Sequence, residues 1–182
     1  MAGIYIHIPF CRSKCGYCNF FSVASLRQGA KVVSAILHET ELTQDYLQAE
    51  PLESIYFGGG TPSLLDTGDI ASILAKIRQH HSLIPGCEIT LEANPDDISA
   101  DKLREYIAMG IRRISMGIQS FFGEDLIYLE RKHDREGAFR ALELLRNAEL
   151  DSFSIDLIYG IPGQTEEMLR GNLSVCHDAG VP

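Results

Sequence analysis

Short apolar segments and amphipathic helical segments alternate five times along this chain. The spacing predicts β-strands over Ile4–Ile8, Ser54–Phe57, Glu88–Glu92, Arg113–Gly117 and Ser152–Leu157. Each strand is followed by a segment in which apolar side chains recur at the 3.6-residue period of an α-helix. Five successive βα units in 182 residues predict one α/β domain, with a parallel sheet, right-handed crossovers and the helices outside.

The helices are located by their apolar faces and by the capping residues before them. In the second helical segment, Ile70, Ile73, Leu74 and Ile77 follow the i, i+3, i+4, i+7 spacing, and Asp66 precedes them as a cap. We expect helices over Lys31–Leu47, from the Asp66 cap through Ile77, from a Ser99 cap through Met109, around Gly137–Leu145, and from a Thr165 cap to about Cys176.

Three cysteines, Cys11, Cys15 and Cys18, follow the first strand at the spacing C-x3-C-x2-C. A disulfide framework is not expected, because the cysteine total of five is odd and no secretory signal is recognised ahead of them. A structural zinc site would need a fourth ligand, and the next candidate, His38, lies inside a predicted helix. Three thiolates suit a cubane iron–sulfur cluster, in which one iron would remain open to a small molecule.

The other two cysteines and the histidines assign no further metal ligand, although Cys176 and His177 are of types that ligate iron. Cys87 lies on a predicted strand and Cys176 on a predicted helix, so both are expected to pack against the core. His7 lies within the first strand, where a structural role is the simpler expectation. His80, His81 and His177 fall at helix ends, where a cation is favourable without any cofactor.

Unusual residues mark the end of every predicted strand. In parallel α/β barrels, functional groups lie at the carboxyl ends of the strands, so these residues predict one binding site. The glycines would let backbone groups approach a ligand closely, although glycine clusters also form simple turns. After the cysteines of the first strand, the marked segments are Gly58-Gly59-Gly60-Thr61-Pro62, Glu92-Ala93-Asn94-Pro95, Gln119-Ser120 and Asp156.

Five motifs, taken in order, resemble the radical S-adenosylmethionine (SAM) superfamily and, within it, the oxygen-independent coproporphyrinogen III oxidase-like family with its HemW-type heme chaperone branch. They are YIHIPFC at 5–11, GGGTPS at 58–63, EANP at 92–95, RISMGIQSF at 113–121 and DLIYGIPGQT at 156–165. The resemblance implies a radical SAM core with the fold of a curved (β/α)6 partial barrel of the TIM type. Residues 1–182 would be an N-terminal fragment of it, truncated after about five βα units, before the sixth unit and a C-terminal domain.

The resemblance also implies the cofactors and their ligands. Cys11, Cys15 and Cys18 would hold a [4Fe-4S] cluster, whose fourth iron is chelated by the amino and carboxylate groups of SAM. In the superfamily the reduced cluster cleaves SAM to a 5′-deoxyadenosyl radical. The residues that would form the SAM pocket are Tyr5, Gly59, Gly60, Thr61, Glu92, Gln119, Arg131 and Asp156.

Two of these positions have a plainer alternative. Glu92 ends an apolar strand, where an unpaired carboxylate would be costly, so it must find either a ligand or a local cation such as Arg or Lys. Arg131 could be a solvated charge at a helix end. The sequence leaves both alternatives open.

Phe20 distinguishes two branches of the resembled family. The coproporphyrinogen dehydrogenases carry a further cysteine two residues after the third ligand, where this chain has Phe20. This difference favours the chaperone branch, which binds heme as cargo and delivers it to target proteins such as respiratory enzymes. The alternative is radical decarboxylation of coproporphyrinogen III, which needs an electron donor but no protein acid/base pair, so whether the chain is an enzyme stays open.

Charge and hydropathy limit the partners. The chain carries 25 acidic and 16 basic side chains, a net charge of −9, and it has no basic run, so no nucleic-acid partner is expected. An RNA-modifying radical enzyme is disfavoured for the same reason. Without a long apolar segment or a targeting segment, the chain is expected to be cytoplasmic and to meet a membrane through its target proteins.

Overall fold

The computed structural model describes residues 2–181, and in them strands and helices alternate as the sequence predicts. The strands are β1 (Ala2–Ile8), β2 (Leu52–Gly59), β3 (Leu83–Ala93), β4 (Arg113–Gln119) and β5 (Ser152–Leu157). The helices are α1 (Gly29–Leu42), α2 (Thr67–His80), α3 (Ala100–Ala108), α4 (Gly123–Tyr128), α5 (Arg135–Asn147) and α6 (Glu166–Asp178).

All four strand pairings are parallel, and the strands follow the order β1-β2-β3-β4-β5. Each strand therefore pairs with the next one along the chain, and the order never reverses. Right-handed crossovers in one direction place the helices on one side of the sheet, as in a barrel wall and unlike a doubly wound sheet. The fold is α/β, with the strand arrangement of part of a barrel.

The two faces of the sheet have opposite chemistry. One face presents apolar side chains such as Ile6, Phe57 and Leu91, which are buried in a continuous core with the helices. The other face alternates with it and carries hydroxyl and charged groups. These include Tyr56, Thr90, Glu92, Arg113, Ser115, Ser154 and Asp156. In the described part of the chain, no helix is both long and apolar enough to cross a membrane.

The caps of two helices are confirmed. The hydroxyls of Ser99 and Thr165 accept hydrogen bonds from the backbone N–H groups of Lys102 and Met168, both at 3.2 Å. Asp66 occupies the expected position before α2 but makes no side-chain capping bond, so that part of the prediction is wrong.

Several boundaries differ from the prediction; β3, for example, begins at Leu83 rather than Glu88. α1 ends at Leu42 rather than Leu47, and the turns that follow it include Gln48 and Ala49 with φ of 50° and 63°. A left-handed backbone cannot continue a right-handed helix, so no helix runs through these two residues. α4 lies where a loop was expected, because its six residues are too few for a helical period to be recognised.

Candidate functional site

A cavity of about 270 Å³ opens at the carboxyl ends of the strands. Its walls come from the loop after β1 and from the ends of the other four strands. All but one of the predicted site residues line it. They are Cys11, Cys15, Cys18, Gly59, Gly60, Thr61, Glu92, Gln119, Arg131 and Asp156.

The cysteine loop is closed at its base by backbone pairing. The N–H of Val23 donates to the carbonyl of Pro9 at 2.7 Å, and the N–H of Cys11 donates to the carbonyl of Val23 at 3.1 Å. Within the loop, the N–H of Cys18 donates to the carbonyl of Cys15 at 3.1 Å, which forms a turn. The three cysteines therefore lie on a short closed loop attached to the end of β1.

An ion pair fixes this loop to the segment after β3. The Nε and Nη2 atoms of Arg12 both lie 2.7 Å from Oδ1 of Asp97. The Asp97 side chain is 1% exposed, and its other oxygen accepts a hydrogen bond from the Ser63 hydroxyl at 3.4 Å. Neither Arg12 nor Asp97 is predicted as a site residue, because nothing in the spacing links residue 12 to residue 97.

A chain of hydrogen bonds connects two of the cysteine sulfurs. The Thr61 hydroxyl donates to Sγ of Cys11 at 3.6 Å and accepts from Nδ2 of Asn94 at 3.1 Å. Oδ1 of Asn94 accepts from Nη2 of Arg131 at 2.6 Å, and Nη1 of Arg131 donates to Sγ of Cys15 at 3.9 Å. Donors aimed at cysteine sulfurs are outer contacts of the kind that orient the ligands of a metal centre.

Arg131 is not a solvated charge at a helix end. Besides Asn94 and Cys15, its guanidinium contacts the carbonyl of Gly117 at 2.7 Å and the hydroxyl of Tyr17 at 3.1 Å. Its Nε atom is buried and has no hydrogen-bond partner in the protein. A buried donor without a partner is costly, so its presence on the cavity wall suits a ligand that supplies an acceptor.

Glu92 finds its partners without a cation. Oε1 accepts a hydrogen bond from the Tyr56 hydroxyl at 2.9 Å, and Oε2 accepts one from the N–H of Gly59 at 3.1 Å. Burial raises the pKa of Glu92, and these two donors partly offset that shift. Burial and the neighbouring Glu92 carboxylate raise the pKa of Tyr56 to about 12. Period-2 alternation along β2 could have placed Tyr56 on this face.

The glycines after β2 are required by the protein's own packing. A Cβ on Gly60 would lie 2.6 Å from the carbonyl oxygen of Phe10 and 3.0 Å from that of Ile8. Gly59 has a φ of 111°, and a Cβ there would lie 2.6 Å from the His7 ring. Glycine thus lets β2 pass close to the base of the cysteine loop.

Gln119 and Asp156 lie at the ends of adjacent strands. The register shifts between Gly117 and Gln119, and Gln119 has a φ of 72°, so β4 ends in an irregular turn at the cavity. Gly117 pairs with Asp156 across the β4–β5 ladder. Burial raises the pKa of Asp156, while Ser115 and Arg113 lower it.

Tyr5 lies outside this cavity. Its side chain is 57% exposed and lines a separate surface pocket. Its ring stacks on that of Tyr56, with centroids 6.0 Å apart, and its hydroxyl lies 3.2 Å from Nδ1 of His7. Tyr5 therefore neighbours Glu92 through Tyr56 but does not line the site itself.

The donor set fits a cluster better than a single ion. Across residues 2–181, no three His, Cys, Asp or Glu side chains are gathered as one metal ion would need. Three thiols nevertheless share one cavity, and two of their sulfurs accept hydrogen bonds. Sulfurs that line a cavity without meeting at one point suit a group with several iron atoms. Cys87 and Cys176 pack against the core, as predicted.

Comparison with known protein families shows which family has this architecture. The model of the radical SAM superfamily matches residues 5–174, most of the chain. The heme chaperone HemW of Haemophilus influenzae is 40% identical over 171 residues, which cover 90% of this chain and 44% of that protein. Anaerobilin synthase of Escherichia coli O157:H7 is 33% identical over 181 residues, which cover 98% and 41%.

A solved structure shares the fold over nearly the whole chain. The radical SAM enzyme coproporphyrinogen III oxidase (HemN) from Escherichia coli superposes with a TM-score of 0.87 and 30% sequence identity. The match covers 98% of this chain and 42% of that enzyme. The chain thus spans less than half the length of these relatives.

Proposed function

We propose that this chain, which belongs to the radical SAM superfamily, is the cofactor-binding part of a heme chaperone. A [4Fe-4S] cluster and SAM are the cofactors that membership implies. Heme or a related porphyrin would be the cargo, and heme-accepting proteins such as respiratory enzymes would receive it. The proposal extends to the full-length protein, of which residues 1–182 would form the radical SAM core.

Phe20 is the observation that carries this proposal. Its side chain is 70% exposed and lines the cavity. The coproporphyrinogen dehydrogenases that this chain resembles carry a further cysteine at this position. An aromatic ring here removes a thiol from the site and adds apolar surface. Several HemW chaperones from different bacteria, at 34–40% identity, support the same branch.

The residues present fit both cofactors. Cys11, Cys15 and Cys18 would ligate the cluster through their thiolates. The negative charge of Glu92, held by Tyr56 and the N–H of Gly59, would attract the ammonium group of SAM. When bound, the two cofactors supply one-electron reductive chemistry, for which an electron donor is required.

The remaining polar groups of the cavity would orient SAM. Arg131 offers its buried Nε donor to an acceptor such as the carboxylate or a ribose hydroxyl. Asp156 and Gln119, on adjacent strand ends, offer an acceptor and an amide to the nucleoside. Gly60 and Thr61 would complete the wall nearest the cysteines, since Thr61 already contacts Cys11.

Two assays on the anaerobically reconstituted full-length protein test this proposal. The first measures whether the protein binds hemin and transfers it to an apo-hemoprotein. The second supplies coproporphyrinogen III, SAM and a reductant, and measures protoporphyrinogen. We expect hemin transfer and no decarboxylation. Decarboxylation by protein with a confirmed cluster would instead assign the chain to the dehydrogenases.

A further inference from the structure

One loop beside the cavity presents an unusual amount of apolar surface. Of the fourteen large apolar side chains exposed among residues 2–181, five come from ten consecutive residues. Exposed apolar groups scattered singly need no explanation, but a contiguous patch marks a binding surface. The five, here called the aromatic loop, are Tyr17, Phe20, Phe21, Val23 and Leu26.

The backbone of the aromatic loop is held in place. Val23 is paired with Pro9 and Cys11 at the base of the loop. Nε2 of His7 lies 3.2 Å from the carbonyl oxygen of Phe21, and the two rings are 6.4 Å apart. Phe20 and Phe21, which are 70% and 74% exposed, are therefore presented to solvent by a fixed backbone, so little ordering entropy would be lost on binding.

Charge distinguishes this surface from an ordinary apolar patch. Tyr17 and Phe20 extend the wall of the cavity, and Lys14 and Lys132 line the same cavity. Neither lysine forms an ion pair with any residue from 2 to 181, although the whole chain carries a net charge of −9. Two carboxylates of the same cavity have other contacts: Asp97 pairs with Arg12, and Asp96 lies 3.9 Å from His133.

We propose that the aromatic loop binds one face of a porphyrin macrocycle, and that Lys14 and Lys132 pair with its carboxylate side chains. A flat aromatic ligand stacks on exposed phenyl rings, and unpaired ammonium groups at the edge match carboxylates. The inference rests on the proposed function and adds the place where the cargo binds. An apolar protein surface would use the rings but leave both lysines without a counter-charge.

Hemin titration of the full-length, cluster-loaded protein, followed by its Soret absorbance, tests the aromatic part. The double variant Phe20→Ser/Phe21→Ser should weaken hemin binding by about tenfold or more. Leu42→Ser is the matched control, because Leu42 is 72% exposed on α1 away from the cavity, and its affinity should stay within about twofold. Phe20→Trp/Phe21→Trp keeps an aromatic ring at both positions without adding a ligand for the heme iron, and should bind like the unsubstituted protein.

The lysines are tested by changing the ligand as well as the protein. Lys14→Gln/Lys132→Gln should bind hemin about fivefold more weakly and bind the dimethyl ester of hemin as well as the unsubstituted protein does. Because the ester lacks carboxylates, this comparison separates charge pairing from a loss of folding.

Each outcome has a distinct meaning. If the Phe20/Phe21 serine variant bound hemin as the unsubstituted protein does, the inference would be wrong while the chaperone function stood. If that variant bound hemin normally and failed only to transfer it, the patch would be a protein-docking surface, which also overturns the inference. If the unsubstituted protein bound no hemin, the proposed function itself would fail.

Discussion

The Glu92 carboxylate is a half-buried side chain whose pKa depends on its surroundings. Two donors, the Tyr56 hydroxyl and the Gly59 N–H, hold it at the end of β3. Burial nevertheless raises its pKa, so it binds a proton more readily than an exposed glutamate does. A cation arriving in the cavity would favour the ionised form, which couples ligand binding to pH.

Glu92→Gln should weaken SAM binding by about tenfold to a hundredfold, because a hydrogen bond to a charged group is lost. In the unsubstituted protein, SAM affinity should fall as the pH is lowered toward the raised pKa of Glu92, and the variant should lack this fall. Calorimetric titration across pH, with iron content as the control, measures both. An unchanged affinity in the variant would remove Glu92 from the SAM pocket.

The assignment of the three cysteines as cluster ligands can be tested by single substitutions. Cys15→Ser should abolish the visible absorbance of the iron–sulfur cluster after anaerobic reconstitution, because a hydroxyl is a poor ligand for iron. Cys87→Ser is the matched control, since Cys87 lies on β3 away from the cavity and should leave the spectrum unchanged. A normal spectrum for Cys15→Ser would contradict the assignment of the three ligands.

Strands β1 and β2 approach each other closely where they meet the cysteine loop. The register places Ile8 opposite Gly59, and the N–H of Gly60 donates to the carbonyl of Ile8 at 2.8 Å. A side chain on Gly60 would meet the backbone of Phe10, which cannot move without displacing Cys11. The close contact therefore links the end of one element to the position of a cluster ligand.

Gly60→Ala should lower the free energy of unfolding by about 1–3 kcal/mol, as overpacking commonly does. It should also lower the iron retained per chain. Gly68→Ala is the control, because nothing lies within 4 Å of a Cβ there and the residue belongs to α2, so it should be neutral or stabilising by up to about 1 kcal/mol. Chemical denaturation compares the two; equal stabilities would show that the loop adapts freely.

The stability of the whole molecule should depend on His133. Its side chain is fully buried after α4, its Nε2 lies 3.0 Å from the carbonyl oxygen of Ile118, and its Nδ1 has no hydrogen-bond partner. Burial, with a smaller contribution from Arg131, lowers its pKa from 6.5 to about 4. The native state therefore holds this histidine neutral while the unfolded chain protonates it.

Because the unfolded state binds the proton first, stability should fall as the pH is lowered from about 6.5 to about 4, by up to about 3 kcal/mol. The raised pKa values of Glu92 and Asp156 have the opposite effect on stability. As the pH falls, those carboxyls bind a proton in the native state before they do so in the unfolded state, which stabilises the native state. His133→Gln removes only the histidine contribution. Denaturation at several pH values should therefore give the variant a smaller acid loss, and identical slopes would refute this assignment.

The order of elements and the position of the site could be predicted from the sequence. Apolar periodicity reflects local backbone geometry, and caps such as Ser99 and Thr165 act within three residues. Secondary structure and capping can therefore be predicted from residues that are close in sequence. Parallel strands also bring all their carboxyl ends to one edge, which is why residues as distant as Cys11 and Asp156 were expected in one site.

Which of these residues meet depends on tertiary packing, which the sequence does not record locally. Arg131 contacts Cys15 across 116 positions of sequence, Arg12 pairs with Asp97, and Tyr5 turns away from the cavity although it lies on β1. Such contacts depend on strand register and on the path of each loop, which no local period records. The sequence determined what kinds of groups gather at the strand ends, and the packing of distant segments decided which of them touch.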